Sequence, residues 1–178
     1  MSVEDACHQN DKRGLMQIRE LESNDYAGFS SLMRQFFAYA GDDPASDGDL
    51  VNLFAKVLDP QINFCWLGAF DDTELIGILS LTFGESSYRT APFAWCDDFF
   101  VDPEHQRRGV GSQLLAEASR VAMARGCSNI LLGVGAKEDG AARFYQANGF
   151  KDMQCRLMTL PLRAIPTESE KLGPPDGA

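Results

Sequence analysis

The residues with the clearest chemical potential are Gln106, Arg107, Arg108, Gly109, Val110, Gly111 and Ser112. They follow a strand-like run and open a helix-like one. The first turn of a helix leaves backbone N–H groups without intrahelical partners, and the helix dipole adds partial positive charge there. Gly109 and Gly111 carry no side chain that would hold an anion away from those amides. Arg107 and Arg108 can add charge-assisted bonds to phosphate oxygens, and the Ser112 hydroxyl can donate another. The chemistry is phosphate binding; a tight turn with two solvated arginines is the alternative these residues leave open. Two other kinds of phosphate site do not fit. A nucleotide-hydrolysing loop needs Lys and then Ser or Thr after its last glycine, where this chain has Ser112–Gln113. A dinucleotide fingerprint needs a third glycine where Leu114 stands.

Just upstream, Asp97 and Asp98 interrupt an otherwise apolar run, PFAWCDDFFV at 92–101. A carboxylate can hold a cationic amine or take a proton from it. Neighbours on a strand point to opposite faces, so alternation predicts that only one of the two reaches a given cleft. Edge protection or a structural hydrogen bond is the other reading of such a pair. Cys96 and Cys127 have no histidine close in sequence that would lower a thiol pKa, so neither reads as a covalent nucleophile. His8 and His105 have no Cys or His partner at ligand spacing, so no metal site is expected.

The elements that must position these groups follow from periodicity. Residues 16–21 read as a short strand, and Ser23, Asn24 and Asp25 offer helix caps. Phe29, Leu32, Met33, Phe36 and Phe37 keep helical spacing up to Gly41. A shorter helix covers 49–58 and stops before Pro60. Residues 63–70 and 74–83 form a hairpin across Asp71–Asp72–Thr73, and 92–101 is the next strand. Leu114, Leu115, Ala118, Val121 and Ala122 mark one face of a helix from Val110 to Arg125, which Gly126 stops. A continuous apolar strand at 129–135, a short helix at 139–147 and a strand from Phe150 to Leu160 complete the order β α α β β β α β α β. A hairpin-built half joined to a βαβ crossover predicts a mixed sheet flanked by helices.

The chain has 178 residues with 44% hydrophobic content, which suits one domain. Residues 1–14 read as a loose leader with no secretory pattern, 15–163 as the folded unit and 164–178 as a loose tail. Net charge of −10 disfavours nucleic acid and anionic membranes; it either attracts cationic small molecules or serves solubility alone. Five scattered cysteines without a CxxC pair read as reduced thiols, and the expected location is cytoplasmic.

The run Gln106–Gly111, the amphipathic helix after it and FYQANGF at 144–150 together resemble the GNAT superfamily of acetyl-CoA-dependent N-acetyltransferases. CDDFFVDPEHQRRGVGSQLL at 96–115 is similar to the diamine (spermidine/spermine-type) branch. The resemblance implies an α/β (α+β) fold with a mostly antiparallel central sheet and one splayed parallel strand pair. It implies acetyl-CoA as co-substrate, with the pyrophosphate on 106–112 and the pantetheine arm against the backbone of Phe99, Phe100 and Val101. It implies that Asp97, the first acid of the pair, binds the amine and removes its proton, with Asp98 as the second candidate. Tyr145 would protonate the CoA thiolate. Glu138 stands where the family often has an Asn that contacts the cofactor. The implied acceptor is a small amine or polyamine, and dimers are common in the family. Two other readings remain open from the sequence: a non-catalytic acyl-CoA-binding module, and acetylation of protein or peptide amines. Trp66, Trp95, Tyr88 and Arg89 are candidates for the acceptor pocket.

Overall fold

The computed structural model describes residues 16–88, 90–135 and 138–160. The proposed leader at 1–14, the tail at 164–178, Cys7, His8 and Arg89 lie outside them. The strands are β1 (Gln17–Glu20), β2 (Phe64–Asp71), β3 (Glu74–Ser86), β4 (Ala91–Val101) and β5 (Ile130–Leu132), in sheet order β1-β2-β3-β4-β5. Neighbours pair antiparallel except β4 with β5, which are parallel. The helices are α1 (Tyr26–Ala40), α2 (Asp47–Val57), α3 (Val110–Ala124) and α4 (Asp139–Ala147). Among the described residues, no helix is long and apolar enough to cross a membrane.

Local chemistry sets the boundaries. Ser46 caps α2: its side chain accepts from the Asp49 amide, and the Asp49 carboxylate accepts from the Ser46 amide. Gly41 ends α1 in the left-handed conformation, φ 77°. The β2–β3 hairpin closes on the Asp71–Glu74 pair.

Each face of the sheet carries its own core. On one, Leu79, Leu81, Ala94 and Cys96 pack with Leu114, Leu115, Ala118, Val121 and Ala122 of α3. On the other, Trp66, Phe70, Ile78 and Phe100 meet Phe29, Leu32 and Met33 of α1 and Leu50 and Phe54 of α2. Both faces of β3 are therefore dry from Leu75 to Leu81, which makes the middle of the sheet a firm platform.

Two expectations need correction. The strand expected at 129–135 pairs only at 130–132, where β4 still runs alongside. The strand expected from Phe150 to Leu160 is absent: 151–160 carries no secondary structure and is exposed, with Met158 at 89%. A strand needs a partner ladder for its backbone groups, and the apolar residues of this segment find no such ladder among the described residues.

Candidate active site

The acidic pair sits on an irregularity of the sheet. Leu79 pairs with Phe99 and Leu81 with Cys96, so Ser80 alone stands opposite Asp97 and Asp98. This is a β-bulge, one extra residue on β4. Ser80 resolves it chemically. Its hydroxyl accepts from the Asp98 amide at 2.9 Å and donates to Asp98 Oδ2 at 2.8 Å. Thr82 Oγ1 donates to Asp97 Oδ2 at 2.9 Å. Ser80 and Thr82 are two apart on a strand and share a face. Both carboxylates therefore lie on that one face, the side of α1 and α2. Simple alternation expected opposite faces; the bulge overrides it by resetting the phase of β4. Before the bulge, Ala94 and Cys96 pack toward α3, and after it Phe99 and Val101 do so, while Phe100 turns to α1.

The two carboxyls differ in environment. Asp97 is exposed. Burial pushes the Asp98 carboxyl above the usual aspartate range; the Ser80 hydrogen bond opposes this, and the neighbouring Asp97 charge adds to the rise. Burial likewise pushes the Cys96 thiol up to about 12, with Asp98 and Asp97 adding to it, which leaves no thiolate for nucleophilic work.

The bulge also marks where the sheet opens. The β4–β5 ladder runs from Ala94–Ile130 to Cys96–Leu132 and stops, although β4 continues to Val101. The Asp98 amide points to β3, so alternation turns the Phe99 and Val101 amides toward the open side. The Val101 carbonyl accepts from Gln106 Nε2 at 3.0 Å, which ties the end of β4 to the following loop. The Phe100 ring faces away, 5.8 Å from Phe36.

The loop 106–112 has the form its composition suggested. Arg107 (φ 59°) and Gly109 (φ 85°) both adopt the left-handed conformation. Gly109 is the N-cap of α3 and supplies no side-chain cap, so the amides of the first turn stay uncovered by side chains. Val110 is buried and anchors the turn, while Gln106, Arg107, Arg108, Gly109 and Ser112 are exposed. A Cβ at Gly111 would stand 3.0 Å from Phe144 Cζ and 3.2 Å from Phe99 Cζ. Glycine there lets the start of α3 lie directly against an aromatic wall. Upstream, Asp102 braces the loop: its side chain accepts from the Glu104 amide at 2.8 Å and its own amide donates to the Ile76 carbonyl at 2.9 Å.

That wall contains Tyr145. Its ring lies 6.0 Å from Phe99, 5.4 Å from Phe144 and 5.5 Å from Phe150. Burial raises its pKa above the usual tyrosine range, and Cys96 and Glu138 act in the same direction. Glu138 precedes α4, with its amide donating to the Gly135 carbonyl at 3.0 Å. The loop 106–112 and Tyr145 belong to the α3 side of the sheet, the two aspartates to the opposite side. The end of the β4–β5 ladder lies between them.

A groove of about 370 Å³ runs from Asp97 along β3 and β4, lined by Thr82, Phe83, Gly84, Phe93 and Trp95. Of the pocket candidates, Trp95 lines it, Trp66 is core against Phe29 at 5.3 Å, and Tyr88 is 94% exposed. Ser80 and Thr82 escaped the sequence reading. Two hydroxyls two residues apart inside an apolar strand were the available signal.

Residues 17–150 match the family described as Acetyltransferase (GNAT) family. The chain is 37% identical over 57 residues to an uncharacterized N-acetyltransferase of Methanocaldococcus jannaschii, covering 32% of this chain and 25% of that protein. It is 32% identical over 59 residues to the thialysine N-epsilon-acetyltransferase of Bos taurus, covering 33% of this chain and 35% of that one. The matched stretch thus spans about a quarter to a third of these curated relatives. Its fold is similar to that of an aminoglycoside acetyltransferase from an uncultured soil metagenomic sample, solved with trehalose: TM-score 0.72, 24% identity, 83% of this chain and 97% of that one. It is also similar to AAC(6')-Iy solved with the bisubstrate analogue CoA-S-monomethyl-acetylneamine: TM-score 0.69, 20% identity, 84% and 99% coverage. With the sheet order, the opened strand pair and the bare helix start in agreement with this match, the chain belongs to the acetyltransferase (GNAT) family.

Proposed function

We propose that the protein is an N-acetyltransferase that moves the acetyl group of acetyl-CoA directly to the primary amine of a small acceptor. The observation that carries this reading is the alignment of three features around one gap in the sheet. These are a bare helix start beside two arginines, outward backbone amides on β4, and a carboxylate pair on the far face. The pyrophosphate of CoA sits on the amides of Gly111 and Ser112, with Arg107 and Arg108 closing over it. The pantetheine arm takes the place of the missing strand partner beside Phe99 and Val101. Gln106 and Val110 hold the loop in shape. Glu138 lines the same end through α4.

An alkylamine has a pKa near ~10.4 and arrives protonated. Asp97, exposed, meets the ammonium, and Asp98 takes the proton, directly or through one water. The amine nitrogen then attacks the thioester carbon, and a β4 amide near the bulge stabilises the developing oxyanion. The C–S bond breaks, Tyr145 gives its proton to the leaving thiolate, and the second proton that the nitrogen loses as the amide forms returns to Tyr145 through water. A diamine or polyamine acceptor is supported by the CDDFFV segment and the net charge of −10. The proposed folded unit is 15–163, the cytoplasmic location rests on the scattered cysteines without a CxxC pair, and a homodimer is what the resemblance implies.

A second reading, an acyl-CoA-binding module without turnover, is favoured only by Glu138, whose carboxylate replaces the family's amide. Thiol release from acetyl-CoA across a panel of amines and peptides separates the two: turnover on any amine supports the enzyme, whereas CoA binding with no turnover supports the module. Arg108→Ala is expected to weaken CoA binding about tenfold or more, the scale of a lost charge-assisted bond, with a smaller effect for Arg107→Ala. An unchanged dissociation constant in both would remove the loop from the site.

A further inference from the structure

We propose that the groove beside Asp97 selects acceptors whose primary amine is carried on an apolar, preferably aromatic, body. This rests on the N-acetyltransferase reading above and replaces its diamine acceptor. Among the described residues the groove is left uncovered, because α1 and α2 pack further along, over Ile78, Trp66 and Phe100. Its wall is aromatic: Phe93 and Trp95 are two apart on β4 and share the face of Asp97. Gly84 is essential to its shape. A Cβ there would lie 2.8 Å from Phe93 Cζ, so glycine lets the Phe93 ring lie down across β3. At the inner end stand Thr82 and the carboxylate it orients, Asp97.

Charge complementarity fixes which end of the ligand enters. The exposed carboxylate is at the bulge, where the thioester is delivered, so the ammonium goes there and the rest of the acceptor lies over the rings. A second ammonium on that remainder would stay largely hydrated above a half-buried ring and gain less than an apolar body does. An apolar body gains in proportion to the surface it removes from water, and an aromatic one also gains from ring–ring contact. The groove therefore favours an aralkylamine over a diamine, against the acceptor that the CDDFFV segment suggests.

The test compares 2-phenylethylamine with 1,4-diaminobutane in the full-length protein at saturating acetyl-CoA. The expected kcat/KM is at least about tenfold higher for 2-phenylethylamine, the effect of one well-placed apolar group. Trp95→Ala and, separately, Trp95→Leu are expected to abolish that preference while CoA affinity measured by calorimetry stays within twofold. Equal or better use of the diamine, or a preference that survives both substitutions, overturns the proposal. If neither amine is turned over, the acetyltransferase reading is decided separately by the panel of amines and peptides above, and the groove is read by calorimetry of the same two amines on the CoA complex. Tighter binding of 2-phenylethylamine that is lost in the Trp95 variants sustains the groove; equal binding, or none, overturns it.

Discussion

Asp98→Asn lowers kcat/KM at neutral pH by about 10²–10⁴-fold, the usual share of general base catalysis. The argument rests on geometry first. Asp98 is the member of the pair that Ser80 holds from two directions, through its amide and through Oδ2. Asparagine keeps the shape and can still accept from Ser80, so the bulge survives and only the proton acceptor is lost. The pH profile gives a second readout. In the wild type, kcat/KM falls on the acid side as Asp98 is protonated, at a pH above the ordinary aspartate value because burial raises it. In Asp98→Asn that limb disappears, and the rate climbs with pH toward the amine's own pKa of roughly 10.4. Stability moves the other way. The folded carboxyl has the higher pKa, so between the unfolded and folded values the native state holds more protons. Stability therefore falls as pH rises through that window. Asp98→Asn removes the cost of an ionised buried carboxylate, so the variant has the higher urea midpoint at pH 7 and loses that advantage below about pH 4. A variant with full activity, or with an unchanged pH profile, removes Asp98 from proton transfer.

Tyr145→Phe lowers kcat by about 10²-fold, the scale seen when a single hydrogen-bond donor to developing charge is removed. The ring itself is structural. It touches Phe99, Phe144 and Phe150, and phenylalanine keeps all three contacts. Stability and CoA affinity are therefore expected to stay near wild type, and the loss to appear in kcat rather than in KM. Burial holds the hydroxyl's pKa above the usual tyrosine range, so it keeps its proton throughout neutral and mildly alkaline pH. The wild type accordingly shows no fall in kcat near pH 10 from this group. Unchanged turnover in Tyr145→Phe would show that the tyrosine only fills the aromatic wall.

Much of the fold was legible where one face of an element is wet. The α3 pattern picked out Leu114, Leu115, Ala118, Val121 and Ala122, and all are buried against the sheet. The loop 106–112 was legible because glycine and arginine have few reasons to meet between a strand and a helix. The bulge was not. Residues on both sides of the acidic pair are apolar on both faces, so the change of phase from Cys96 to Phe99 leaves no mark in the alternation. With the bulge hidden, the aspartates appeared to point apart, and the roles of Ser80 and Thr82 went unseen. The apolar residues of 150–160 misled in the opposite sense. Strand propensity there was real, but a strand also needs a neighbour, and β5 pairs over only three residues.

The central claim is that a CoA pyrophosphate rests on the bare amides at the start of α3. Titration calorimetry of the full chain with CoA, repeated for Arg107→Ala and Arg108→Ala, tests it most directly. The account predicts one site with a dissociation constant below about 1 mM, in keeping with ordinary enzyme–substrate affinities, and weaker binding in Arg108→Ala. No heat of binding at millimolar CoA, or equal binding by wild type and both arginine variants, would contradict it.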